Sequence, residues 1–186
     1  MRIGFIVENS KTSGGSYYQT LNFLNNIKKN FKKKNHISVY TNKKENLKIF
    51  DKKVNFFSYN FLDRIIIKFS FFHFFRLCFK LINLKTNLEK TLLKKKVDLI
   101  IFPAPSNLQY TIIKIKFIST IFDLCHLEHK NFPEISIKEF QIREKYINYI
   151  SSKAKAIITN STILQKQISK KYNFQKKNIF VVPFNP

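Results

Sequence analysis

The chain has 186 residues, 44% hydrophobic and 16% aromatic, which is enough for one domain with a sizeable core and excludes disorder by composition. Its formal net charge is +23, from 34 basic and 11 acidic residues, yet the only arginines are Arg2, Arg64, Arg76 and Arg143, so the bidentate chemistry that reads phosphates is thin. No stretch of about 18 residues is apolar and uncharged, which argues against a membrane-spanning helix, and Cys78 and Cys125 have neither metal-ligand spacing nor the numbers for a disulfide framework.

The surplus of Lys, Asn, Ile and Phe has the look of an AT-rich coding bias. The functional reading of the same charge is attraction to an anionic membrane face or to nucleic acid. Basic residues interleaved with aromatics suit nucleic acid, but no nucleic-acid motif is present, and the apolar runs read as sheet core.

The first strand is expected at Ile3–Val7. Glu8 and Asn9 follow at once, so the amino terminus is too short and too early-charged for a secretory signal. The expected location is the cytoplasm, peripheral on the inner leaflet of the cytoplasmic membrane. All three glycines, Gly4, Gly14 and Gly15, lie at or near the two ends of this strand. Two adjacent glycines suggest a positive φ or a close approach to a ligand, and Ser16 is the candidate cap of a helix running to about Asn30. Strands are expected at 37–41 and 54–58.

Residues 61–82 differ in kind. Placed on one helical wheel, Arg64, Lys68, His73, Arg76 and Lys80 share one half, and Ile66, Ile67, Phe71, Phe74, Leu77, Cys78 and Leu81 share the other. That is an amphipathic helix with a basic face. Nine phenylalanines lie in or beside it, among them Phe71, Phe74 and Phe75, more than one side of a small sheet covers easily. The membrane-facing set is therefore Arg64, Lys68, Phe71, Phe74, Phe75, Arg76 and Lys80. The bland alternative is an ordinary docked helix whose Lys and Arg snorkel to water.

Further along, 87–96 reads as helix, 97–102 as strand and Pro103–Ser106 as the loop that ends it. A short β-branched strand at 117–122 runs into Asp123, Leu124, Cys125 and His126. Helices are expected at 137–151 and 161–172, the second capped by Asn160 or Ser161, with strands at 156–159 and 179–182. Alternating strands and helices imply an α/β, Rossmann-like, three-layer domain with a mostly parallel sheet of six or seven strands.

Asp123 and His126 are the chemical candidates, because polar groups just past a strand's carboxyl end are where open α/β sheets hold ligands. A histidine there can act as base, shuttle or orienting donor. Cys125 reads as a small buried apolar residue, and Arg143 and Glu144 as structural.

Asp-Leu-Cys-His at 123–126, Phe-Pro-Glu at 132–134, Arg143-Glu144, Ile-Ile-Thr-Asn-Ser at 157–161 and Val-Val-Pro-Phe at 181–184 together resemble the amino-terminal domain of family 4 glycosyltransferases. These are retaining, nucleotide-sugar-dependent enzymes of the GT-B architecture. The resemblance covers 1–20 and about 97–186. It implies that Gly14, Gly15 and Ser16 lie against the donor's diphosphate, that Asp123 and His126 are catalytic, with His129 as a second histidine candidate, and that Glu134 is an acceptor-side residue, the other reading of Glu134 being a cap of the next segment. It implies a nucleotide sugar as substrate, a cell-surface glycan or lipid-linked acceptor, and no metal or organic cofactor. In the family, a sequence like Val-Val-Pro-Phe-Asn-Pro leads into a donor-binding domain. The expectation is a single acceptor-side domain over 1–186 without that second domain, from a truncated or split enzyme, inactive by itself. The alternative is a non-catalytic, basic, membrane-associated module.

Overall fold

The computed structural model describes residues 1–30, 36–49, 54–128 and 136–183. Glu134 and His129 lie outside the described residues. The chain divides into two compact units, Met1–Phe117 and Ile118–Pro186.

The first unit contains β1 (Arg2–Val7), a 3-10 turn (Lys11–Ser13), α1 (Gly15–Asn30), β2 (His36–Thr41), α2 (Asn46–Ile49) and β3 (Val54–Phe56). It continues with α3 (Phe61–Ser70), α4 (His73–Leu81), α5 (Asn87–Lys94), β4 (Leu99–Ile101) and a 3-10 turn (Asn107–Thr111). The strands lie in the order β3-β2-β1-β4, all parallel. β1 is central and buried over five of its six residues. That explains its unbroken apolar run, since a parallel strand is covered on both faces. Gly4 has a packing role here. A Cβ would come within 3.2 Å of the Tyr40 ring and 3.3 Å of Leu92 and Val97, so glycine lets β2 and the α5 region close on β1.

The second unit holds the end of β5 (Lys116–Thr120), then α6 (Cys125–Glu128), α7 (Ile137–Lys153), β6 (Ala156–Thr159), α8 (Thr162–Tyr172) and β7 (Ile179–Val181). The order is β5-β6-β7, again parallel. Ile121, Leu124, Ile147, Ile150, Ile157, Leu164, Ile168, Phe174 and Ile179 form its core.

Parallel neighbours require a crossover, and helices supply it. The seven strands and their intervening helices make the chain an α/β, Rossmann-like fold, as the alternation of apolar runs implies. Helix starts are capped by short polar side chains: Asn60, Thr86, Ser136 and Ser161 each accept from the backbone N–H three residues on. Asn160 is not the cap of α8; its amide donates to Phe122 O at 3.0 Å.

Residues 61–82 form two helices, which corrects the single helix expected there. The chain turns at Phe71 and Phe72, with Phe72 extended. The cause is tertiary. Arg76 Nη1 donates to the carbonyls of Ser70 (2.8 Å) and Phe71 (3.0 Å), the groups the end of α3 leaves unpaired, while its guanidinium lies over the Tyr110 ring. The joint is held from the other end by Asp63, which is buried. One of its oxygens accepts from Asn60 N and the other from Asn87 N, at 3.1 and 2.8 Å, tying the start of α3 to the start of α5.

Candidate functional sites at the strand ends

In the first unit the residues past β1 form a tight, side-chain-braced loop. Gly14 has φ +62° and ψ −137°, a backbone that only glycine adopts without strain. An added Cβ would meet nothing within 4 Å, so conformation, not space, demands the glycine. Ser16 does not cap α1, contrary to expectation, because the helix already begins at Gly15. Ser16 Oγ instead donates to Ser13 O and accepts from Asn9 Nδ2, both at 3.1 Å. Asn46 Nδ2 fixes the Asn9 carbonyl at 2.9 Å. The result is a 16-residue helix whose first residue, Gly15, is exposed and whose first turn carries no acid, a polarity that favours an anion.

Beside this loop stands a group that the sequence reading passed over. Glu8 Oε1 accepts from Tyr59 Oη at 2.8 Å, and Oε2 accepts from Ser106 Oγ. Burial first, and then the Glu8 charge, push the Tyr59 phenol far up, so it stays a donor. The only signal for it in the sequence was an acid directly after a strand.

In the second unit, Asp123 and His126 part company. Asp123 is exposed; its Oδ1 accepts from Cys125 N at 3.1 Å and lies 3.5 Å from Arg143 Nη1. His126 is 0% exposed. Its Nε2 meets Glu144 Oε1 at 2.9 Å, and its ring packs edge-on to Phe140. Nδ1 is buried without a hydrogen-bond partner among the described residues. That pattern implies the tautomer with the proton on Nε2, donating to the carboxylate. Tyr172 Oη also donates to Glu144 Oε1, and Lys171 Nζ lies 3.5 Å away. Burial pushes the Glu144 carboxyl up, but the bonds from Tyr172 and His126 and the Lys171 charge outweigh it, so the net shift is down. Two adjacent residues of α7, Arg143 and Glu144, thus take up the two candidates, one at the surface and one inside. Cys125 is exposed, not buried as expected, because the turn into α6 points Leu124 and His126 inward instead.

Of the membrane-facing set, Arg64, Lys68, Phe74, Phe75 and Lys80 are exposed, whereas Phe71 and Arg76 are half-buried and spent on the joint with Tyr110. Phe72, Leu77, Leu81 and Ile82 are exposed as well, and α4 buries no residue. No helix among the described residues is long and apolar enough to cross a membrane. Nor do the described residues gather three or more His, Cys, Asp or Glu side chains into a group fit for a metal ion.

No protein-family model and no curated protein sequence matches the chain. Solved structures do. The chain is similar to the crystal structure of Alr3699/HepE from Anabaena in complex with UDP, with a TM-score of 0.58 at 16% identity, covering 98% of this chain and 44% of that one. It also aligns with a glycosyltransferase from Rickettsia africae at a TM-score of 0.45 and 14% identity, covering 98% of this chain and 42% of that one. What is shared with HepE is the fold. The chain spans less than half the length of either structure.

Proposed function

We propose that the chain is the acceptor-side domain of a retaining, nucleotide-sugar-dependent glycosyltransferase of the GT-B architecture, of the family 4 type. The observation that carries this reading is the fold likeness to UDP-bound HepE over 98% of the chain. The glycine turn after β1 and the exposed carboxylate after β5 add to it.

In this reading Gly14, Gly15 and Ser16 offer backbone N–H groups to the donor's diphosphate. Asp123 presents a carboxylate to the acceptor hydroxyl, and Glu134 belongs to the same acceptor side. His126, locked on Glu144, is a positioning residue that holds the 123–126 turn from beneath. Transfer needs the acceptor hydroxyl placed against the anomeric carbon and the leaving diphosphate stabilised. The first task falls to this chain. The second falls largely to a donor-binding domain, carried on the same polypeptide or on another. Metal and organic cofactors play no part in the scheme, and nucleic acid is not a partner.

The exposed face of α4, together with the exposed Arg64 and Lys68 of α3 and Lys80 of α4, seats the domain on anionic lipid at the cytoplasmic leaflet. There a lipid-linked acceptor, destined for a cell-surface glycan, is within reach. Each basic residue near such a surface contributes about 1 kcal/mol, and apolar burial adds to it. The same face supports the second reading, a non-catalytic membrane module.

The test is transfer of labelled sugar from UDP-glucose, UDP-galactose or UDP-N-acetylglucosamine into a bacterial membrane-lipid fraction. We expect incorporation when the chain is joined to the part of HepE outside the 44% that it matches, and none with either part alone. Vesicle binding without transfer in any pairing would leave only the membrane module.

A further inference from the structure

The four strands of the first unit each deliver one polar side chain to a single cluster at their carboxyl ends. Glu8 directly follows β1, Asn42 follows β2, Tyr59 comes three residues after β3 and Ser106 five after β4. Their hydrogen bonds run in one direction. Asn42 Nδ2 donates to Tyr59 Oη at 3.3 Å, and Leu108 N donates to Ser106 Oγ at 3.1 Å. Each hydroxyl, having accepted an N–H, passes its own proton to a different oxygen of Glu8. The carboxylate is thus oriented by two donors that have no other proton to give.

Two facts set this apart from a buried lock. Glu8 is half-exposed, and each of its oxygens keeps acceptor capacity after one bond. Moreover, in a chain of net charge +23 no cation pairs with Glu8 among the described residues. The structural carboxylates Asp63 and Glu89, likewise without an ion pair among the described residues, are buried and take backbone N–H groups, whereas Glu8 is half-exposed and takes side-chain hydroxyls. A carboxylate held by neutral hydroxyls among the described residues, and half-exposed at the ligand-bearing edge of a parallel sheet, is matched to a ligand that brings neutral donors in pairs.

We propose that Glu8 is a sugar-hydroxyl contact: its carboxylate accepts two neighbouring hydroxyls of the acceptor glycan, in the orientation set by Tyr59 and Ser106. The inference rests on reading the chain as the acceptor side of a glycosyltransferase. It adds a recognition residue in the first unit, and it makes the acceptor's first sugar a neutral one with adjacent free hydroxyls.

The experiment is amide NMR of the 186-residue chain titrated with the methyl glycosides of glucose, galactose, mannose and N-acetylglucosamine. At least one glycoside is expected to shift the amides of Glu8, Asn42, Tyr59 and Ser106. Glu8→Gln should weaken that binding about tenfold or more, the usual consequence of losing a hydrogen bond to a charged group. Tyr59→Phe, which keeps the carboxylate but frees it to rotate, should weaken it by a smaller factor. If Glu8→Gln fails to melt cooperatively, Tyr59→Phe and Ser106→Ala decide. Absence of shifts at these amides with all four glycosides, or binding unchanged in the folded variants, overturns the proposal. The underlying reading fails separately, by absence of sugar transfer in the joined assembly. Glycoside shifts at Glu8 without transfer would identify a sugar-binding module instead.

Discussion

His126 Nε2 lies 2.9 Å from Glu144 Oε1, and the imidazole is fully enclosed. The pair joins α6 to the long helix α7, and Tyr172 joins α8 to the same oxygen. Three helices of the second unit therefore meet on one carboxylate. His126→Ala should remove both the ring packed on Phe140 and the partner of Glu144. A loss of about 2–4 kcal/mol is expected, from cavity and unpaired polar group together. Chemical denaturation monitored in the second unit measures it; a loss below about 0.5 kcal/mol, the scale of ordinary surface changes, would show the pair to be incidental.

Acid should loosen this junction. The Glu144 carboxyl sits below its ordinary value of 4.5. A depressed carboxylate contributes stability that is complete above its unfolded pKa and is lost as pH falls through the folded one. The melting temperature should drop as pH falls below the ordinary glutamate range, and Glu144→Gln should flatten that acid limb while lowering stability at neutral pH. Glu89, buried in the first unit and pushed up mainly by desolvation, has the opposite sign. Its contribution is present at low pH and fades as pH rises through its raised value. An acid limb unchanged in Glu144→Gln would remove Glu144 from the account.

The Asp63 carboxylate accepts from two helix starts at once. Asp63→Ala should cost about 2–3 kcal/mol, a cap plus a second orphaned backbone donor. Hydrogen exchange should speed up at the starts of both α3 and α5. Faster exchange in α3 alone would contradict the bridging role.

Phe72→Ser, Phe74→Ser and Phe75→Ser combined should leave cooperative melting in place, because these rings are exposed by 52%, 68% and 36%. Sedimentation with phosphatidylglycerol-rich vesicles should fall sharply in the triple variant, and wild-type binding should weaken with salt. A wild-type chain that ignores such vesicles at low salt would end the membrane role.

Much of the fold could be read from the chain because parallel strands, buried on both faces, leave unbroken apolar runs; β1 and β6 are the plainest. The break at Phe71–Phe72 could not, since a run of phenylalanines carries no helical phase and Arg76 stops α3 through contacts made only in three dimensions. The glycine turn was legible because so few glycines exist elsewhere. The partners were not: Glu8 reaches Tyr59 across 51 positions and Ser106 across 98, and His126 reaches Glu144 across 18. Local patterning carries no information on such pairs. It also failed at Cys125, where a one-residue turn of the chain exchanges inside for outside.

The measurement closest to the central claim is turnover of the joined assembly with Asp123→Asn. Asp123 is exposed, with its side chain at 48%, so the change should leave the melting temperature within a degree or two (about 0.5 kcal/mol or less). If this chain supplies the acceptor-side chemistry, the rate of sugar transfer should fall on the order of 10²-fold or more. Transfer at the wild-type rate by the folded variant would contradict it.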